Sequence, residues 1–155
     1  MGDIDIGKEE EEEEERSTGV SFTFSADSFF QNNAHALPVL TQHVAAQLIK
    51  GNGDKEHFLV DAYCGSGLFS LLAAPHFSHV YGVEISANAV EAARANAVQN
   101  DVPNTTFFTG KSEAIFEQVS NLPSDLTVVL IDPPRAGCVK EFLSQLMRLR
   151  PWKIV

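Results

Sequence analysis

The 155-residue chain has only two cysteines, Cys64 and Cys138, with no Cys-x-x-Cys pair and no histidine-rich metal spacing. That scarcity argues against a disulfide framework or a metal site and fits a reduced, intracellular protein. No apolar run approaches the ~20 residues of a membrane-spanning helix, and the acidic N-terminus is unlike a signal peptide. Cytoplasm, nucleus and mitochondrion are not distinguished by these features. A basic excess is lacking as well, with 11 Lys and Arg against 21 Asp and Glu, a net charge of −10.

That acidity is local. Residues 1–16 hold nine acids against Lys8 and Arg16, net −7, and the other 139 residues hold twelve acids and nine bases, net −3. Seven consecutive glutamates at 9–15 repel one another and bury nothing, so residues 1–18 are expected to be a disordered tail or linker. Binding of basic partners is the other role open to such a run. The nearly balanced body, residues 19–155, neither favours nor excludes nucleic acid. With 44% hydrophobic residues and 11 Phe in the chain, it has the means for one domain with a real core.

The body alternates strand and helix patterns. Strands are expected at 19–25, 58–62, 79–83, 105–109, 126–131 and 152–155, where apolar and β-branched residues run or alternate. Helices are expected through Lys50 from a cap at Asn33, with Pro38 near the first turn, and then at 68–74, 87–100, 112–119 and 140–149. Four or more such alternations imply an α/β fold with a doubly wound parallel sheet, in which ligands sit outside the carboxyl ends of the strands.

Three polar features fall at such ends. Tyr63-Cys64-Gly65-Ser66-Gly67 follows the first core strand, and its glycines let a ligand approach the backbone where a helix begins. Glu84 ends the second strand, where an acid either accepts both hydroxyls of a ribose or simply caps the next helix. Asp132-Pro133-Pro134-Arg135-Ala136-Gly137 ends the fourth strand, and its two prolines make a rigid turn. A dinucleotide site wants a third glycine where Ser70 stands and gives no reason for Asp-Pro-Pro. An S-adenosylmethionine site needs no pyrophosphate room and uses that loop to face the donor toward its acceptor.

The Asp132–Gly137 motif resembles the fourth-strand motif of RNA 5-methyluridine methyltransferases. Ser28-Phe29-Phe30-Gln31-Asn32-Asn33 resembles that family's segment before the methyltransferase core, and residues 63–67 its donor turn. The three occur in the family's order over residues 20–155, and Arg135 stands where amino-group methyltransferases carry an aromatic. The nearest likeness is to the tRNA (uracil-5-)-methyltransferase branch, of fungal type. The resemblance implies an S-adenosylmethionine-dependent methyltransferase (Rossmann-like) fold and methyl transfer to C5 of a uridine in RNA, in tRNA the T-loop uridine. It implies S-adenosyl-L-methionine as cofactor, held by Gln31, Tyr63, Gly65, Gly67, Glu84 and Asp132. Leu68 departs from the pattern, because some relatives carry a polar residue there.

The family's nucleophilic cysteine sits in a Ser-Cys-Asn-Pro-like loop after the fifth strand, and its base lies farther on. Residues 1–155 contain neither, and neither Cys64 nor Cys138 matches the nucleophile's place. The fifth strand is expected to be under way at Val155, so the resemblance puts both nucleophile and base beyond Val155. The expectation is a core incomplete at its C-terminus and inactive alone. A donor-binding module, or a degenerate domain kept for protein contacts, is the alternative. For the tail, hydrogen exchange should find the amides of residues 9–15 unprotected, and protection there would contradict the disordered reading.

Overall fold

The computed structural model describes residues 4–5, 19–24, 33, 35–53 and 56–155. Two short strands, β1 (Ile4–Asp5) and β2 (Ser21–Phe22), pair antiparallel, so Ile4 and Asp5 depart from the disorder expected across residues 1–18. The rest of the acidic segment lies outside the described residues, as does the Ser28-to-Asn32 stretch with Gln31.

The body then runs α1 (Leu37–Ile49), β3 (Phe58–Asp61), α2 (Leu68–Ala73), β4 (His79–Glu84), α3 (Ala87–Gln99) and β5 (Thr105–Thr109). It continues through α4 (Ile115–Gln118), β6 (Thr127–Leu130), α5 (Lys140–Leu149) and β7 (Lys153–Ile154). Five strands form one sheet in the order β5-β4-β3-β6-β7, and every pair is parallel. The doubly wound α/β expectation therefore holds, with most helix and strand ends within a residue or two of those expected.

The last strand is shorter than the expected 152–155. It ends at Ile154, and Val155 stands just past it. Val155 nonetheless stays bonded to β6 and its exit, donating its N–H to Val129 O at 2.9 Å and accepting from Ile131 N–H at 3.0 Å. These bonds hold the edge of the sheet level with the start of the proline turn.

Alternation along the strands decides which helix layer each side chain meets. Leu59, Val80, Val128 and Leu130 pack with Leu48, Ala73 and Phe77 on the α1–α2 side. Val60, Val83 and Val129 pack with Ile115, Phe116, Phe142 and Leu146 on the α4–α5 side. The strands are thus buried on both faces, which is why they read as apolar runs. Asn33 caps the entry to α1, its Oδ1 accepting from the N–H groups of His35 (3.2 Å) and Ala36 (3.1 Å), although the helix proper starts at Leu37. At the other end of α1, Lys153 Nζ donates to the carbonyls of Gln47 (3.1 Å) and Leu48 (2.9 Å), tying β7 to that helix.

The chain winds outward from β3 through β4 to β5, then crosses back to β6 and β7. The direction reverses between β3 and β6, and there the crevice of such sheets opens. Gly82 marks how tightly this region is packed. A Cβ on it would stand 2.6 Å from the Phe107 ring and 2.9 Å from Cys64 Sγ. Gly82→Ala should therefore cost about 1–3 kcal/mol through overpacking, and a urea midpoint equal to wild type would refute this packing.

Candidate active site at three strand ends

Asp61, Gly82 and Leu130 lie level across the three central strands. Glu84 is two residues beyond Gly82, and Asp132 is two beyond Leu130. Parallel registration therefore brings three carboxylates to one edge of the sheet, as the sequence expects for Glu84 and Asp132.

The glycine turn hangs from the same edge. Cys64 N–H donates to Val83 O at 3.0 Å and Gly67 N–H to Cys64 O at 2.9 Å. Gly65 and Gly67 have φ of +52° and +92°, a region costly for other residues. The two glycines differ in what surrounds them. A Cβ on Gly65 would meet nothing within 4 Å, whereas one on Gly67 would stand 3.2 Å from Ala93 Cβ. Gly65 is the place where backbone is open to a ligand, and Gly67 is required by the packing of α3. This narrows the expectation that both glycines serve approach.

Glu84 is braced by the backbone. Its Oε2 accepts from Gly65 N–H at 3.3 Å and its Oε1 from Ser86 N–H at 3.0 Å. The helix-entry reading of this acid is met, since it accepts from the Ser86 N–H at the start of α3, and the carboxylate is held in a fixed position. Each oxygen keeps a second lone pair for a further donor. The N–H of the open glycine is already taken by this carboxylate, which leaves the turn poorly suited to an anion.

Tyr63 is half-buried. Its hydroxyl accepts from Ser112 Oγ at 3.1 Å, and its ring lies 5.8 Å from that of Phe142. Burial, with the Cys138 thiol beside it, raises the phenol above its ordinary range. Asp132 is exposed at the head of the proline turn, which Gly137 closes at φ +78° through its N–H to Pro134 O, 2.8 Å. Gln31 lies outside the described residues. The remaining five expected site residues, Tyr63, Gly65, Gly67, Glu84 and Asp132, all belong to this one edge.

The sequence reading missed Asp61. It is 1% exposed, and its Oδ2 accepts from Ser70 Oγ at 2.6 Å. Its Oδ1 is buried with no protein partner among the described residues. Burial pushes its pKa up to about 6, opposed by the Ser70 hydroxyl and the Tyr63 N–H and reinforced by Asp132 and Glu84. A signal was available, because an acid ending a buried apolar strand is the pattern that singled out Glu84 and Asp132. Ser70 also explains why no third glycine stands there.

None of these three acids is paired with a Lys, Arg or His among the described residues. A pyrophosphate would be repelled here, whereas a ligand with positive charge and hydroxyl groups would fit. Ile85, directly after Glu84, adds an apolar side chain that is 70% exposed. A groove of about 620 Å³ lies elsewhere, along the outer edge of β5 between Arg94, Val98, Pro103 and Phe108. No acid of the strand-end edge reaches it. No cluster of three or more metal-ligating side chains occurs among the described residues. None of the described helices is long and apolar enough to cross a membrane.

The sequence model of the tRNA (Uracil-5-)-methyltransferase family matches residues 5–150. The chain belongs to that family. It is 48% identical over 140 residues to a tRNA (uracil(54)-C(5))-methyltransferase of Schizosaccharomyces pombe, covering 88% of this chain and 26% of that protein. It is 49% identical over 140 residues to the enzyme of the same description from Saccharomyces cerevisiae, covering 88% of this chain and 22% of the other. The chain thus spans about a quarter of the length of these relatives. Among solved structures it resembles Pyrococcus abyssi tRNA (uracil-54, C5)-methyltransferase in complex with S-adenosyl-L-homocysteine. That likeness has a TM-score of 0.69 and 28% identity, covering 88% of this chain and 32% of the other. M. jannaschii TYW2 in complex with AdoMet shares the fold at a TM-score of 0.61 and 16% identity, covering 88% and 57%. The Rossmann-like methyltransferase fold and the family resemblance read from the motifs are therefore met.

The raised pKa of Asp61 gives a pH prediction for this family member. A folded-state pKa of about 6 against 3.8 unfolded means the folded chain holds the extra proton between those values. Stability from this group is therefore greatest below pH 3.8 and falls as pH rises to about 6, by about 3 kcal/mol in all. In urea titrations, wild type minus Asp61→Asn should fall by about that amount between roughly pH 3.5 and pH 7.5. A constant difference would show that Asp61 titrates normally.

Proposed function

We propose that this chain is the donor-binding body of a tRNA (uracil-5-)-methyltransferase, holding S-adenosyl-L-methionine for methyl transfer to C5 of a uridine in tRNA. The observation that carries this is the set of three strand-end carboxylates without a basic partner among the described residues, gathered round a turn open at Gly65. Bound S-adenosyl-L-methionine supplies an activated methyl on a sulfonium, so the protein's share is to bind and orient. Glu84, fixed by two backbone N–H groups, would accept the ribose hydroxyls, and Ile85 would offer an apolar face to the base. Asp132 and Tyr63 would flank the methionine part, and Gln31 is a further donor contact that the family resemblance implies. Asp61 would add negative potential from beneath the turn.

Attack on the pyrimidine C6 needs a thiolate within reach of the ring. Cys64 is unsuited to it, because burial and the neighbouring Asp61 and Glu84 raise its thiol pKa well above the usual range. Cys138 is half-buried beside Tyr63 at the end of the proline turn, where no base motif accompanies it in the sequence. Residues 1–155 hold no Ser-Cys-Asn-Pro-like loop. The proposal is that this chain binds the donor without methylating uridine by itself, the nucleophile and base belonging to sequence beyond Val155. RNA is proposed as the acceptor on family grounds, and the division into a 1–18 tail and a 19–155 core is retained as a proposal.

Calorimetry tests the donor reading. Glu84→Ala removes charge-assisted hydrogen bonds worth about 1.5–3 kcal/mol, so S-adenosyl-L-methionine should bind roughly tenfold more weakly or worse. Equal affinity for wild type and variant would remove Glu84 from the ribose. Transfer to unmodified tRNA by residues 1–155, abolished by Cys138→Ala, would instead make Cys138 the nucleophile.

A further inference from the structure

Asn96 of α3 is wholly buried, at 0% exposure, yet it is a polar residue on the core face of a helix. Its Oδ1 accepts from Thr23 N–H at 2.8 Å, and its Nδ2 donates to Thr23 O at 3.0 Å. One helical turn on, Asn100 repeats this clamp on Ser21, with Oδ1 to the N–H at 2.9 Å and Nδ2 to the carbonyl at 2.8 Å. The spacing explains the pair. Four residues of helix advance about 6 Å and two residues of strand about 6.6 Å. Two asparagines at i and i+4 can therefore stand in for a neighbouring strand against alternate residues of an extended segment. Phe22, between the two clamped residues, is fully buried against Leu68, Val90, Ala93 and Phe107.

The two clamps differ in one bond. An amide nitrogen has two hydrogens to donate. Asn100 gives its second to its own helix, at Asn96 O, 2.7 Å away. Asn96 gives its second to Ser66 O at 3.1 Å, and Ser66 lies between the two glycines of the turn. One buried amide thus joins the extended segment at 19–24 to the turn that carries Gly65.

We propose that Asn96 is a positioning residue for the donor turn, coupling the seating of residues 19–24 to the shape of Gly65-Ser66-Gly67, so that donor and segment bind the body cooperatively. This rests on the donor reading above. A donor that favours the clamped turn must, by linkage, also favour the seated segment.

Asn100→Ala is the matched control, because it removes an equivalent clamp without reaching the turn. With the full chain, S-adenosyl-L-methionine binding measured by calorimetry should weaken roughly five- to tenfold or more in Asn96→Ala, which loosens both segment and turn, and by a smaller factor in Asn100→Ala, which loosens the segment alone. Urea unfolding of both variants separates lost affinity from lost stability. In wild type, the donor should also slow hydrogen exchange at the Thr23 amide, a measurement that needs no variant to fold. Affinity unchanged in Asn96→Ala, or Thr23 exchange unchanged by saturating donor, overturns the coupling while leaving the donor reading intact. Failure of wild type to bind millimolar donor overturns the donor reading and this inference with it.

Discussion

The 2.6 Å hydrogen bond from Ser70 to Asp61 joins the first turn of α2 to the end of the central strand, out of contact with water. Everything between them, residues 62–69, is the glycine turn and the start of its helix, so this one bond sets how the turn closes. It spans nine residues and is backed by Ala62 N–H to Leu130 O (3.1 Å) and Cys64 N–H to Val83 O (3.0 Å), which hook the turn to both neighbouring strands. The turn is a suspended piece of backbone held at these points and by Glu84 at the Gly65 N–H, and Asn96 adds a further tie at Ser66 O.

The same bond leaves a charge problem unsolved. Ser70 satisfies one oxygen of Asp61 and leaves the other without a protein partner among the described residues, while Glu84 and Asp132 add charge of the same sign. A buried carboxylate of this kind opposes folding at neutral pH. A cationic ligand is the simplest species that relieves the repulsion. Strain of this sort is characteristic of sites built for binding, where local rules are broken.

The layers around the site are conventional by comparison. The sheet is buried on both faces, and the packing of Phe142 and Phe116 (ring centroids 5.3 Å apart) covers one while Leu48 and Phe77 cover the other. Between them the scaffold holds strand ends in register, so the carboxylates need no movement to converge. The buried asparagine Asn96 clamps the extended segment at Thr23. The half-buried Asn104 donates from Nδ2 to Ala74 O (2.8 Å) and Phe77 O (2.9 Å), closing the connection before β4.

Much of this was determined by the sequence alone. The apolar run 126–131 reads as a buried strand and the alanine-rich 87–100 stretch as an amphipathic helix, because local pattern, length and composition carry those outcomes. The right-handed crossover of parallel strands then puts every loop that follows a strand on one edge, which made Glu84, Asp132 and the glycine turn recognisable as one site. The tertiary structure alone decided the rest. That Gly67 serves packing and Gly65 openness depends on where Ala93 stands. That Asp61 is buried and half-satisfied depends on Ser70 arriving from another element, and that Asn96 and Asn100 face residues 21–23 depends on a segment more than seventy positions away. Such contacts bring together groups distant in the chain, and local sequence contains no term for the closure of those loops.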